Sequence, residues 1–340
     1  MNSIYSKTIN QLEDFFISIG DKKFRAIQLF EWLYLKRVNS FDDMTNIKKD
    51  ILDILKNQFS IEKLNLEEVQ RSIDANKYLF ELSDGNRVES VLMRHDYGNS
   101  ICISSQVGCN MGCKFCESGR LKKVRNLTAG EMVLQIMMVE EDIKERIDFV
   151  VVMGIGEPFD NFANIVDFIS IINNPKGIGI GARHITISTS GIIPKIKEFA
   201  ELDYQVNLAI SLHAPNDELR SSLMPVNKAY PIAKLMDELK KYLAKTNRRV
   251  MIEYIMLKDV NDKEEHALEL SNLVKGINCV VNLIPYNETS HLEFKRSKKD
   301  TIMKFYDIMK KNKVNVTIRK EFGKEISAAC GQLRSNKEDL

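Results

Sequence analysis

Three cysteines lie close together in the stretch CNMGCKFC: Cys109, Cys113 and Cys116. Three thiols at this spacing cannot pair among themselves without leaving one over, but they can surround one metal centre. A structural zinc site needs a fourth Cys or His ligand, and none follows within the next dozen residues. The spacing therefore favours an iron–sulfur cube held by three cysteines, with one iron free to bind a substrate or a cofactor. A zinc site in a non-catalytic protein is the alternative.

The composition is typical of an intracellular catalyst. The chain has 340 residues, of which 44% are hydrophobic and 28% charged, enough for one large domain with appendages. The first residues are polar, without an apolar signal core, and no apolar run is long enough to cross a membrane. Half of the six cysteines stand in one cluster, which favours a reducing compartment, the cytoplasm. A net charge of +2 decides nothing about nucleic-acid partners.

Hydrophobic periodicity divides the chain into three parts. The first 60 or so residues have helical spacing. Alternating residues at 77–82 and 88–93, with a turn at 84–86, predict a β-hairpin. Beyond residue 100, β-branched runs alternate with helical segments, which predicts parallel strands joined by helices in an open or closed α/β barrel. The predicted strands are 101–105, 149–153, 184–189, 206–212, 250–257, 280–285 and 314–319.

Several motifs end predicted strands, where α/β folds carry their chemistry. In Gly154-Ile155-Gly156-Glu157-Pro158 the glycines allow a tight turn, and Glu157 can accept a hydrogen bond from a ligand ammonium. Polar groups that could hold a ribose, a carboxylate or an adenine follow later strands. They are Ser188, Ser211, His213 and Asn287. Each also fits an ordinary turn or strand end.

Three cysteines lie outside the cluster. Cys279 starts a predicted strand and is expected to be a small buried hydrophobe, and the same holds for Cys102 unless it gains a partner. Cys330 stands among small residues beside Gly331, where a thiol could approach a substrate closely. Basic residues after the cysteine cluster and before Cys330 would suit a phosphate-rich substrate, although charge runs are usually solvated faces.

These motifs together resemble the RlmN/Cfr family of radical S-adenosylmethionine (SAM) RNA adenine methyltransferases. The resemblance covers nearly the whole chain, including CISSQVGCNMGCKFC, GIGEP, STSG, SLHAPND, NLIPYN and AACGQL. It implies a partial (β/α)6 radical-SAM barrel at 99–334, ending in the Cys330 loop. It also implies a helical, RNA-docking accessory domain at 1–62, a β-hairpin linker region at 63–98, and a tail at 335–340.

The resemblance implies roles for single residues. Cys109, Cys113 and Cys116 hold one [4Fe-4S] cluster. Two SAM molecules are used per turnover, and SAM contacts fall on Gly156, Glu157, Ser188, Ser211, Leu212, His213 and Asn287. One SAM methylates Cys330, and a radical from the second activates that methyl, which adds to adenine. Cys102 then forms a transient disulfide with Cys330, and Glu89 is the proton acceptor.

Three features favour the RlmN branch of the family, and one of them is the run Ala214-Pro215-Asn216-Asp217. Val107 stands where Cfr-type proteins carry another cysteine, and Pro158 where they carry alanine. The RlmN branch implies methylation of carbon-2 of an adenosine in the peptidyl-transferase region of 23S rRNA, and of the adenosine beside the anticodon in some tRNAs. Cfr-type methylation of carbon-8, which confers antibiotic resistance, is the main alternative, and a non-RNA substrate is another. Glu117, after the third cluster cysteine, and the loop 118–123 depart from the family pattern.

The resemblance also implies a flavodoxin- or ferredoxin-type electron donor as a partner besides RNA. The protein is expected to be a monomer that does not bind a membrane. It gives Cys279 no role.

Overall fold

The protein is described by a computed structural model that covers residues 2–323 and Ile326. The N-terminal part is helical, with Thr8 capping the first helix by accepting a hydrogen bond from the backbone of Gln11. A short parallel pairing joins the two ends of this part. Its elements are β1 (Asn2–Ser3), α1 (Ile9–Ser18), α2 (Phe24–Tyr34), α3 (Lys49–Gln58) and β2 (Phe59–Ser60).

Four antiparallel strands follow in a meander. The predicted hairpin is its middle pair, and an outer strand and an inner strand flank it. The strands are β3 (Asn65–Arg71), β4 (Ala75–Glu81), β5 (Arg87–His95) and β6 (Gly98–Cys102). The segment expected to be a linker is therefore part of the main sheet, because β6 pairs in parallel with the next long strand of the core.

Six crossover connections then build the parallel half of the sheet. Two short strands, β7 (Gln106–Val107) and β8 (Arg125–Asn126), precede the first crossover helix, α4 (Ala129–Ile143). The remaining elements are β9 (Phe149–Val152), α5 (Phe162–Asn173), β10 (Ile185–Thr189), α6 (Ile193–Phe199), β11 (Asn207–Ser211), α7 (Asp217–Leu223), α8 (Ile232–Thr246), β12 (Val250–Met256), α9 (Glu264–Leu273), β13 (Cys279–Pro285), α10 (Lys299–Lys311) and β14 (Val316–Ile318). The sheet runs β14-β13-β12-β11-β10-β9-β6-β5-β4-β3.

The two faces of this sheet differ in chemistry. Side chains alternate between faces along a strand, and residues in register share a face. One face is apolar and packs into the main core, with Val150, Ile187 and Ile210 fully buried there. The other, the inner face, carries polar groups. Strand register assigns to it Lys77, Glu89, Cys102, Ser188, Ser211, Glu253 and Asn282.

Strand positions agree with the sequence prediction except at their ends. β6 stops at Cys102 instead of residue 105, because the Ser104 amide donates to the side chain of Gln135 rather than to a neighbouring strand. β3 has no counterpart in the prediction, since its polar residues give no clear alternation. None of the helices described here is long and apolar enough to cross a membrane.

Candidate active site

The three clustered cysteines lie in the loop between β7 and β8, at the carboxyl ends of the parallel strands. Backbone hydrogen bonds fix this loop: Cys109 N donates to Leu121 O at 3.0 Å, and Lys114 N donates to Leu223 O at 3.0 Å. One cavity is lined by all three cysteines and by most of the predicted SAM contacts. They are Cys109, Cys113, Cys116, Gly156, Glu157, Ser188, Ser211 and His213.

Burial makes the cysteines poor thiolates by themselves. It raises the pKa of Cys109 to about 12 and that of Cys113 well above its ordinary value. A bound metal centre reverses this preference, because a coordinating thiol loses its proton. Within the described residues, no three His, Cys, Asp or Glu side chains gather as one metal ion would require. The cysteines instead share the wall of a cavity, and their donor chemistry fits an iron–sulfur cluster.

Glu157 is held in place by backbone amides. Its two carboxylate oxygens accept hydrogen bonds from Phe159 N at 3.0 Å and Ser190 N at 2.7 Å. Burial raises the pKa of Glu157, and these hydrogen bonds act against that rise. The side chain is 3% exposed and lines the cavity, so it can meet an ammonium group shielded from water.

Gly156 is needed for the turn that carries Glu157. Its φ of +112° lies in a region that side chains rarely adopt, and a Cβ there would stand 2.7 Å from Cβ of Gln106. Gln106 itself accepts a hydrogen bond from Glu157 N at 2.9 Å. The close approach of the two loops therefore depends on glycine.

Three further predicted contacts line the same cavity. Ser188 and Ser211 end neighbouring strands, with their hydroxyl oxygens 3.5 Å apart. His213 follows β11 with φ of +59°, and its Nδ1 accepts a hydrogen bond from Ile255 N at 3.1 Å. Burial, and to a smaller degree Arg220, lowers the pKa of His213 to about 3. The ring is therefore neutral, with its proton on Nε2.

Leu212 and Asn287 are placed differently from these. The side chain of Leu212 packs into the main core, and its backbone amide donates to Glu253 O at 3.1 Å. Asn287 follows β13, and its side-chain amide donates to Pro285 O at 3.4 Å. For Leu212 the backbone is thus the part next to the site. Both roles stay predictions.

Arg220 organises the site and was missed by sequence reasoning. Its guanidinium is fully buried and donates to Ser190 O at 2.6 Å, Ser211 O at 3.3 Å and Asn227 Oδ1 at 2.9 Å. Burial lowers its pKa to about 10, against the attraction of Cys113. Arg220 thereby ties together the loops that follow β10 and β11. It lies on α7, three residues after the SLHAPND motif, but a lone arginine on a short helix gave no signal.

Glu253 and Arg319 form a second group that the sequence did not single out as a pair. Both line the cavity, with Nη1 of Arg319 4.0 Å from Oε2 of Glu253. Asn282 donates to the same oxygen at 2.9 Å. Burial raises the pKa of Glu253, and Arg319 counteracts this. Long-range strand pairing brings these residues together, and a local pattern cannot show it.

The residues predicted for the later chemistry lie on the inner face. Cys102, in β6, is 5% exposed and packs with Val91, Phe322 and, at its edge, Ile326. Glu89, in β5, is 5% exposed, and its Oε1 is 3.6 Å from Nζ of Lys77. Cys330 lies outside the described residues. The inner face thus carries Cys102 and Glu89 beside the cysteine-lined cavity.

The residues that depart from the family pattern, Glu117 and the loop 118–123, pair with nearby side chains. Glu117 is 3% exposed, and Arg120 donates to its Oε2 at 2.9 Å, while Nδ1 of His291 lies 3.6 Å from its Oε1. Two more basic residues of this segment are paired: Lys123 with Asp160, and Arg125 with Glu131 and Asp84. Three of the four basic residues at 120–125 thus have acidic partners, and their role toward a phosphate-rich substrate stays a prediction. Cys279 is buried in the main core, as expected.

Comparison with known proteins agrees with this geometry. Residues 103–271 match the family model of the radical SAM superfamily, and residues 3–61 match that of the ribosomal RNA large subunit methyltransferase N-terminal domain. A crystal structure of a radical SAM methyltransferase from Sphaerobacter thermophilus has a TM-score of 0.92 and 38% identity, covering 99% of this chain and 100% of that one. Fold and site define a radical SAM protein.

Curated relatives narrow the assignment. The chain is 56% identical to the "Probable dual-specificity RNA methyltransferase RlmN" of Enterococcus faecalis, over 98% of this chain and 96% of that protein. It is 54% identical to the protein of the same description from Shouchella clausii, over 99% and 97%. The chain belongs to the RlmN family.

Proposed function

We propose that this protein is an RNA methyltransferase that methylates carbon-2 of an adenosine in the peptidyl-transferase region of 23S rRNA and an adenosine beside the anticodon of some tRNAs. The family membership supports RNA methylation. The observation that carries the finer chemistry is the position of Cys102 and Glu89 on the inner face, beside the cavity that the three cysteines line. A buried carboxylate is rare in proteins, and Glu89 stands on the same face as the thiol of Cys102.

The cofactors fit the residues of the cavity. Cys109, Cys113 and Cys116 would hold the [4Fe-4S] cluster, and Glu157 would bind the amino group of SAM. Ser188, Ser211 and the Nε2–H of neutral His213 would hold its polar groups. Cluster and SAM together supply, when bound, a carbon radical that can remove hydrogen from a methyl group. Such chemistry is required because carbon-2 of adenine is too poor a nucleophile to take a methyl cation.

The chain's own residues perform the remaining steps. Cys330 carries the methyl group on its sulfur, and its activated carbon bonds to carbon-2 of adenine. Glu89 accepts the proton that carbon-2 gives up, and the unpaired electron left on the ring passes to a one-electron acceptor, a role that the iron–sulfur cluster would fill when bound. The thiolate of Cys102 then attacks the sulfur of Cys330, the sulfur–carbon bond breaks, and the released carbon takes a proton to become the new methyl group. The two cysteines are left as a disulfide, which an external reductant must reopen. Ile326, four residues before Cys330, packs against the hydrophobic cluster that contains Cys102.

The target adenosine has to leave its stack to reach the methyl group carried by Cys330, which costs roughly a few kcal/mol and favours loops over duplexes. The N-terminal domain would contribute affinity for RNA. A flavodoxin- or ferredoxin-type donor, the cytoplasmic location and the monomeric state stay predictions from the sequence.

The test is product analysis. Anaerobically reconstituted protein is incubated with SAM, a reductant and unmodified 23S rRNA or tRNA, and the RNA is digested for mass spectrometry. We expect 2-methyladenosine. 8-Methyladenosine would instead assign the Cfr-type reaction, and no methyladenosine from protein that still cleaves SAM would refute both. A colourless, zinc-containing preparation, in place of brown protein with about four irons and four sulfides per chain, would refute the radical reaction.

A further inference from the structure

Lys77 is a buried cation beside the proposed proton acceptor. Its side chain and that of Glu89 are each 7% exposed, and Nζ of Lys77 lies 3.6 Å from Oε1 of Glu89. Lysine is almost never buried unless it is paired, because removing an ammonium from water is expensive. A buried ion pair is also weak evidence for stability, since well-packed apolar residues often do as well. Stability alone therefore does not explain why the ion pair of Lys77 and Glu89 is buried here.

The strand register connects this pair to Cys102. Lys77 lies opposite Val91, and Val91 lies opposite Cys102 in the next strand. The backbones of Lys77 and Cys102 are thus two strand spacings apart, about 10 Å. Glu89 is two residues before Val91 on the same strand and points to the same face. Lysine, carboxylate and thiol therefore share one patch of the inner face.

The backbone around Glu89 is fixed by buried hydrogen bonds. Ser104 Oγ donates to Glu89 O at 2.6 Å, and Ser90 Oγ donates to Oε1 of Gln135 at 2.7 Å. Gln135 is a fully buried residue of α4, and its amide nitrogen donates to Ser104 O at 3.1 Å. The carboxylate of Glu89 is thus carried by a backbone that buried hydrogen bonds fix, and Lys77 is a basic side chain that contacts it.

We infer that Lys77 is a positioning residue for this reaction: its ammonium, 3.6 Å from the carboxylate of Glu89, holds that carboxylate along the inner face, where it can accept the proton of carbon-2. The inference rests on the proposed function. A nearby opposite charge favours the charged form of a carboxylate, which is the form that accepts a proton. Lys77 itself neither carries the methyl group nor binds SAM.

The test compares two half-reactions in Lys77→Met. Methylation of Cys330, measured by mass spectrometry of protein incubated with SAM without RNA, is expected to stay at the wild-type rate. Methylation of RNA is expected to fall about tenfold or more in kcat, with little change in KM, because general-base catalysis contributes about 10²–10⁴-fold. Lys77→Arg keeps the charge and should lie between wild type and Lys77→Met. A wild-type rate in Lys77→Met, or an equal loss in both half-reactions, overturns the inference.

Two further variants separate function from folding. Lys77→Met combined with Glu89→Gln removes both charges, so no unpaired ion is left buried. It should methylate RNA as slowly as Glu89→Gln alone, and a much slower double variant contradicts the inference. Arg71→Met is the matched control, since Arg71 pairs with Asp142 of α4 in the same meander, and it should keep the wild-type rate. If the wild type itself makes no methyladenosine, the proposed function has failed and not merely the role of Lys77.

Discussion

Glu157 accepts a hydrogen bond of 2.7 Å from the backbone amide of Ser190, which joins the loops that follow two neighbouring strands. The carbonyl of the same Ser190 accepts a hydrogen bond from buried Arg220 at 2.6 Å. The loop after β10 thus positions Glu157, the proposed ligand for the SAM amino group, through Ser190. Arg220 of α7 in turn positions that loop.

Glu157→Gln should weaken SAM binding. The amide has the same shape, but its NH₂ group would face a backbone N–H of Ser190 or Phe159, and it lacks the charge that an ammonium prefers. A hydrogen bond to a charged group contributes about 1.5–3 kcal/mol, so affinity should drop roughly 10- to 100-fold. Equilibrium dialysis of cluster-loaded protein measures this. Unchanged affinity at equal iron content would exclude Glu157 as the ligand.

Arg220→Met should destabilise the whole protein. Five acceptors lose their donor, among them the carbonyls of Ser190, Ser211 and Leu212. Breaking such a buried network costs about 3–5 kcal/mol. Urea unfolding measures the change, with Arg146→Met as control, because Arg146 makes only an exposed contact to Gly179 O and should cost about 0.5 kcal/mol or less. Equal stability of the two variants would contradict the organising role.

Gly156→Ala should be worse than Gly85→Ala. Both glycines have positive φ, so both variants carry backbone strain of about 1–2 kcal/mol. Only at Gly156 does the new Cβ also meet a neighbour, Cβ of Gln106 at 2.7 Å, whereas at Gly85 nothing lies within 4 Å. We expect Gly156→Ala to lose SAM binding and more stability, and Gly85→Ala to retain SAM binding. Similar behaviour of the two would show that the close approach of the loops is unimportant.

His213 should make stability depend on pH. Its pKa is lowered from 6.5 to about 3 by burial, so between these values the unfolded chain binds a proton that the folded chain does not. The contribution of neutral His213 to the free energy of unfolding is therefore full above pH 6.5 and is lost as the pH falls toward 3. Asparagine tolerates the left-handed backbone and keeps an acceptor for Ile255 N.

In His213→Asn the slope of unfolding free energy against pH should therefore decrease, by up to about 1.4 kcal/mol per pH unit. Urea unfolding of cluster-free protein between pH 5 and 7 tests this. An identical slope in both proteins would mean that His213 titrates normally in the fold.

Sequence reasoning reached the strand–helix order and the residues at strand ends because both depend on local patterns. The cysteine cluster, Gly156, Glu157 and His213 were found in this way, and they line one cavity. Residues whose role depends on distant partners were missed. Arg220 donates hydrogen bonds to carbonyls in the loops that follow β10 and β11. The role of Lys77 depends on the pairing of β4, β5 and β6, which brings it near Glu89 and Cys102. The ion pairs of Lys123 with Asp160 and of Arg125 with Asp84 were missed for the same reason, since these partners are remote in sequence.

The fate of the methyl hydrogens tests the central claim most directly. With SAM carrying a CD₃ group, the proposed route removes one deuterium when the methyl on Cys330 is activated, and the released carbon later takes a proton. The methyladenosine formed should therefore contain CHD₂, as nucleoside mass spectrometry can determine. A product that retains CD₃ would mean direct transfer of an intact methyl group and would contradict the roles proposed for Cys330, Cys102 and Glu89.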